Sequence, residues 1–166
     1  MPRNIEIKAR IESIEALLPR ARALADRNAE LIEQDDSFFV VPHGRLKLRV
    51  FGDGSGELIH YERPDAEGPK RSDYCITPAP EPEGLREVLT RACGTLGRVR
   101  KRRILVLVGG TRVHLDSVEG LGDFLELEVV LRPGQTVAEG EAIARDLMAQ
   151  LGVPEQALVS GAYLDL

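Results

Sequence analysis

The chain has little of several things. It holds two cysteines, Cys75 and Cys93, no tryptophan, and only 4% aromatic residues in 166. Two cysteines this far apart can build neither a disulfide framework nor a thiolate metal site, so both are read as packing residues of a protein in a reducing, cytoplasmic compartment. Positive charge is not in excess either: the net charge is −5. Without a basic surface and stacking rings, a nucleic-acid module is excluded. No apolar run approaches the roughly 18 residues of a membrane-spanning helix, and no basic-then-apolar leader pattern is present. The expectation is a soluble protein with neither nucleic acid nor membrane as partner, one domain spanning 1–166, long enough to bury a core without staples.

What the sequence does have is alternation. In "RNIEIKAR" (3–10), Ile5, Ile7 and Ala9 share one face of a strand while Asn4, Glu6, Lys8 and Arg10 share the other. A helix follows at 13–27, with Ile14, Leu17, Leu18, Ala21, Leu24 and Ala25 at helical spacing and Pro19 set to kink or restart it. Three strands come next, at 36–41, 45–51 and 57–63, parted by the turn signals "PHG" and "GDGSG". The order then repeats: a strand at 72–77, a helix at 81–94 opened by Pro82 and closed by Gly94, and strands near 98–108, 111–117 and 123–131. A last helix runs from a Thr136/Glu139 capping box to Gly152. "PDAEGPKRSD" joins the halves as a mobile loop whose Lys70 or Arg71 could cover an opening. Eight strands with tight turns make a sheet large enough to curl or close. The expected fold is therefore α+β: a closed eight-stranded antiparallel barrel, or tunnel, from a duplicated strand-helix-three-strand unit, with helices packed outside.

The charges are segregated by strand. Arg45, Lys47 and Arg49 share one face of "RLKLRVF"; Lys101 and Arg103 share a face of "VRKRRIL", and Arg63 lies on the face of Tyr61. Same-face neighbours are about 7 Å apart along a strand, so such rows repel unless water or an anion accepts them. Carboxylates are grouped as well, with Glu126 and Glu128 on one face of "DFLELEVVL" and Asp116 aligned with His114 and Arg112 in "RVHLDSV". Two readings stand: ordinary solvated faces, or a closed barrel with a polar interior and its apolar faces turned outward under the helices. In the second, clustered carboxylates call for an oxygen-ligated divalent cation such as magnesium, manganese or calcium. The adjacent Lys and Arg then suit a polyphosphate chain.

These segments, in order, resemble the CYTH proteins, or triphosphate tunnel metalloenzymes, which include class IV adenylyl cyclases and thiamine triphosphatases. The likeness runs through "NIEIKAR", "QDDSFFV", "GRLKLR", "LIHYERPD", "VRKRR", "VHLDSVEGLGDFLELE" and "AYLDL". It implies an eight-stranded tunnel and a metal-dependent enzyme acting on a triphosphate. The products would be cyclic AMP and pyrophosphate from ATP; the alternatives are hydrolysis of thiamine triphosphate, a nucleoside triphosphate or tripolyphosphate, and binding without turnover. Through the resemblance, Glu6, Asp116, Glu126 and Glu128 are expected to hold Mg2+ or Mn2+. Lys8, Lys47, Arg49, Arg63, Lys101 and Arg103 would hold phosphate, with Glu6, Lys8, Glu126 and Glu128 carrying catalysis. A homodimer is compatible with all of this. One position departs: the family signature Glu-x-Glu-x-Lys has Asn4 in its first acidic place. Tyr163 is expected to pack the tail at the tunnel mouth, Gly120 and Gly122 to form a hairpin turn, and His114 to face the way of Asp116.

Overall fold

A computed structural model describes residues 2–64 and 66–166, so Asp65 of the joining segment lies outside the described residues. The elements follow the duplicated order: β1 (Arg3–Arg10), α1 (Ile14–Leu24), β2 (Glu30–Phe39), β3 (Arg45–Phe51), β4 (Gly56–Glu62), then β5 (Lys70–Pro78), α2 (Pro82–Cys93), β6 (Thr95–Val108), β7 (Thr111–Val118), β8 (Gly122–Val130) and α3 (Val137–Gln150). The strands close into one antiparallel barrel in the order β1-β5-β4-β3-β2-β6-β7-β8. Closure is made at β1, which pairs with β8 on one side (Glu6 opposite Glu128, Lys8 opposite Glu126) and with β5 on the other (Asn4 opposite Ser72).

The barrel is inverted relative to an ordinary core. Ile5, Ile7 and Ala9 of β1, with Val113, Leu115, Leu125 and Leu127 of β7 and β8, face outward and are covered by α1 and α3. α2 covers Leu48 and Phe39 on the opposite wall through Leu85 and Leu89. Because strand side chains alternate, burying the apolar face under helices obliges the polar face to point into the barrel. α1 begins at the Ser13 cap and is continuous through Pro19. The Thr136/Glu139 capping box opens α3, and Gly94, at φ 78, closes α2.

Some boundaries moved. β2 begins at Glu30 rather than 36, because Leu31 to Asp35 are held by pairing with β6 even though they lack a clean alternation of apolar residues. Lys70 and Arg71 belong to β5 and are not loop cover: Lys70 is buried with its Nζ donating to the Ala66 carbonyl at 2.9 Å, and Arg71 turns outward to Asp73. Among the described residues no helix is long and apolar enough to cross a membrane.

α3 approaches β1 closely at Gly140, where an added Cβ would meet Ile5 Cγ1 and Leu131 Cδ2, each at 2.6 Å. Gly140→Val is therefore expected to destabilise the protein by about 1–3 kcal/mol through overpacking, read as a lower urea midpoint. An unchanged midpoint would show that α3 does not dock here.

Candidate active site

The barrel interior holds a cavity of about 510 Å³, lined among others by Asn4, Glu6, Lys8, Lys47, Arg49, Arg63, Lys101, Arg103, His114, Glu126 and Glu128. Nine of the ten expected site residues thus face one space; the tenth, Asp116, is fully buried just behind it. They come from β1, β3, β6, β7 and β8, with Arg63 just past the end of β4.

On one side the cations are organised by carboxylates. Asp36 of β2 accepts two hydrogen bonds from Arg49 at 2.8 Å each and one from Lys101 at 3.3 Å, with Lys47 Nζ at 3.8 Å. Burial works to raise the Asp36 carboxyl, but these three cations hold it well below the usual carboxylate range. Arg103 forms the same two-pronged pair with Asp116, 2.8 Å for each bond, and Tyr163 Oη donates to Asp116 at 2.7 Å. Burial again pushes up, yet Arg103 brings Asp116 down to about 2. Each paired guanidinium uses only part of its five N–H donors, so Arg49 and Arg103 keep donors for a ligand while their positions are fixed.

The lysines are less compensated. Lys8 Nζ donates to the Gly161 carbonyl at 3.1 Å and sits 4.0 Å from the centre of the Tyr163 ring; burial lowers its pKa to about 8. Burial, with Arg49 beside it, lowers Lys47 to about 7. Arg63 donates to Glu6 at 2.6 Å and to Gly161 at 3.3 Å.

The opposite wall gathers acids. His114, Glu126 and Glu128 each offer a ligand atom within 4.8 Å of the others. Burial would raise the Glu126 carboxyl, but Lys8, Arg103 and Arg63 hold it well below its ordinary value. Glu128 is raised by burial and by Glu6 and Glu126 beside it, with Arg112 3.3 Å away as its counter-ion. Burial, then Arg103, pulls His114 well below the ordinary imidazole value, so the ring is neutral.

A divalent cation fits this wall on two observations. Carboxylates crowd each other there, and His114 Nδ1 beside them is buried without a hydrogen-bond partner, as are Asn4 Oδ1, Gln34 Oε1 and Arg63 Nε elsewhere in the cavity lining. Asp116 does not join the cluster, since Arg103 and Tyr163 occupy its carboxylate.

Sequence reasoning missed Asp36, the organiser of the cations, although it lies in the quoted "QDDSFFV". Its neighbour Gln34 was missed too; the Gln34 carboxamide oxygen is buried without a partner in the cavity wall. Tyr163 does more than pack at the mouth: it and Ala162 line the cavity, where the tail closes one end over Phe38, Val99 and Phe124. Alternation along "EQDDSFF" does not single out Gln34 and Asp36, because Phe38 and Phe39 place an apolar residue on each face.

Residues 2–163 match the CYTH domain. The chain is 28% identical to the adenylate cyclase CyaB of Aeromonas hydrophila, over 98% of this chain and 87% of that protein. The solved PH1012 protein of Pyrococcus horikoshii OT3 has a TM-score of 0.88 at 27% identity, covering 98% of each chain. HpAC1 from Hippeastrum, described with a dominant triphosphatase activity, has a TM-score of 0.67 at 18% identity over 98% of this chain and 92% of that one, a likeness of fold alone. With a closed eight-stranded tunnel of polar interior and a match across nearly its whole length, this chain belongs to the CYTH family, whose members are metal-dependent and bind triphosphates.

Proposed function

We propose that this protein is a divalent-metal-dependent enzyme that acts on a nucleoside triphosphate inside the tunnel, converting ATP to cyclic AMP and pyrophosphate. The observation that carries the reading is the division of one cavity into a cationic wall, Lys47, Arg49, Lys101 and Arg103, and a wall of Glu126, Glu128 and His114. A polyphosphate would be held by the first, and a divalent cation that neutralises it would be held by the second. Glu126, Glu128 and Glu6 would hold Mg2+ or Mn2+, which would supply charge neutralisation at the phosphate undergoing attack.

The chain's own groups do the rest. Arg49 and Arg103, locked by Asp36 and Asp116, present N–H donors to phosphate oxygens without having to reorganise. Lys8 and Arg63 would hold the chain at the end closed by the tail, and burial in the tunnel excludes bulk water. The interior also carries Ile32, Phe51, Ile59, Ile76, Leu105 and Leu107. Inorganic tripolyphosphate has no use for such surface, whereas a nucleoside does. The name of the Aeromonas relative favours cyclisation, in which the ribose 3′-oxygen bonds to the α-phosphorus, the bond from that phosphorus to the bridging oxygen breaks, and the hydroxyl proton leaves to water or to the released pyrophosphate. The test is incubation of the protein with ATP and magnesium or manganese, with product identification. Cyclic AMP with pyrophosphate is the expected result. Orthophosphate would overturn cyclisation in favour of hydrolysis, and binding with no product would overturn the enzyme reading.

Lys47 makes a second expectation. A lysine helps to bind phosphate only while protonated, and Lys47 loses its proton near pH 7 in the free protein. Affinity for tripolyphosphate at fixed metal is expected to fall as pH rises above about 7, and Lys47→Arg to flatten the lower part of that curve because guanidinium stays charged. The upper part, set by Lys8 near 8, should persist. Titration calorimetry giving a flat wild-type curve would remove Lys47 from the phosphate site.

A further inference from the structure

Among the described residues lining the cavity, His114 Nδ1, Asn4 Oδ1, Gln34 Oε1 and Arg63 Nε are buried polar atoms without a partner, and of these residues only His114 belongs to the carboxylate cluster. His114 is 3% exposed, stands opposite Glu126 in the β7–β8 register, and its ligand atom lies within 4.8 Å of those of Glu126 and Glu128. A buried imidazole nitrogen with no donor facing it is costly, and the fold retains it where two carboxylates converge. We propose that His114 is a nitrogen ligand in a mixed His114–Glu126–Glu128 centre, and that this centre selects first-row transition dications over Mg2+. The proposal rests on the reading of the tunnel as metal-dependent.

Donor chemistry decides the selectivity. Mg2+ is a hard ion that takes oxygen ligands in near-octahedral geometry and keeps several waters, so an imidazole adds little to its binding. For transition ions the same nitrogen strengthens binding, along the series from Mn2+ to Zn2+. Asn4 works in the same direction: it stands two residues from Glu6 on the same face and offers a neutral oxygen, which leaves the wall with less negative charge to attract a hard ion. Of the two ions expected from the sequence, manganese is the better match, and cobalt and zinc better still.

The experiment needs no substrate. The whole protein is titrated with MgCl2, CoCl2 and ZnCl2 by calorimetry, and the histidine ring 15N resonances are followed during addition of Zn2+. One Co2+ or Zn2+ per chain is expected to bind at least about 10- to 100-fold more tightly than Mg2+, with the His114 ring resonance shifting as His43 and His60 stay fixed. His114→Gln is expected to reduce Co2+ affinity by about tenfold or more and to leave Mg2+ affinity nearly unchanged. Metal binding that depends on Glu126 while the His114 resonance and the Co2+/Mg2+ ratio stay put would overturn this inference alone. A tunnel that takes up no divalent ion would overturn the metal-dependent reading with it. The ring measurement uses the wild-type protein, so the test survives a variant that fails to fold.

Discussion

Glu126→Gln and Glu128→Gln are each expected to lower metal-dependent turnover by more than about 100-fold, since loss of a ligand should exceed the 10- to 100-fold typical of the groups that merely orient ligands. Gln keeps the shape and removes the charge. The two variants should then part company in the absence of metal. Glu126 faces Lys8, Arg103 and Arg63, so neutralising it leaves those cations short of a counter-charge and the metal-free protein is expected to melt earlier. Glu128 stands opposite Glu6 across the β1–β8 pair and beside Glu126. Removing its charge relieves repulsion that the half-exposed Arg112 offsets only in part, so the metal-free melting temperature is expected to hold or rise while the stabilisation by added Mn2+ disappears. Thermal unfolding with and without Mn2+, beside a turnover assay, reads both signs. Full activity in either variant, or a metal-induced shift equal to wild type in Glu128→Gln, would remove this strand from the metal wall.

Asp36→Ala is expected to be the most destabilising single change in the barrel interior, by about 3–5 kcal/mol, because it strands buried cations. Arg49, Lys101 and Lys47 all lean on this one carboxylate, which is 1% exposed. With its folded pKa depressed, Asp36 supplies its stabilisation throughout the neutral range, and the contribution fades only as pH falls from the ordinary carboxylate value toward the lower folded one. If these cations form the phosphate wall, a polyanion can substitute for the missing carboxylate. Tripolyphosphate should therefore raise the melting temperature of Asp36→Ala more than that of wild type. Denaturant unfolding that places the variant within about 1 kcal/mol of wild type would show that the three cations are solvated rather than organised by Asp36.

Much of the barrel was legible in advance because alternation is a local property. In "RNIEIKAR", "RLKLRVF" and "DFLELEVVL" each residue's face follows from its position, so Glu6, Lys8, Lys47, Arg49, Glu126 and Glu128 could be assigned to one side of their strands. β2 was harder. "ELIEQDDSFF" mixes polar residues on both faces, with Asp35 turned outward to Arg98 and Asp36 inward to Arg49, so nothing in the stretch itself separated the two aspartates.

By itself the sequence determined the order of strands and helices, the helix ends at Thr136 and Gly94, the doubling of the unit, and which charges share a face on most strands. The tertiary structure decided which side of the wall faces inward, and which charges meet. Asp36 reaches Lys101, 65 residues away, because β2 pairs with β6; Tyr163 reaches Asp116, 47 residues away, because the tail folds over one end of the tunnel. The resemblance sets Asp116 beside Glu126 and Glu128; in the structure Arg103 claims Asp116 from the neighbouring strand, and the side chain whose ligand atom lies within 4.8 Å of those of both glutamates is His114, two residues earlier on the same face. A period of two gives a side chain's face. Its partner depends on strand register, barrel closure and competition among charges for the same carboxylate, all of which are set between distant parts of the chain.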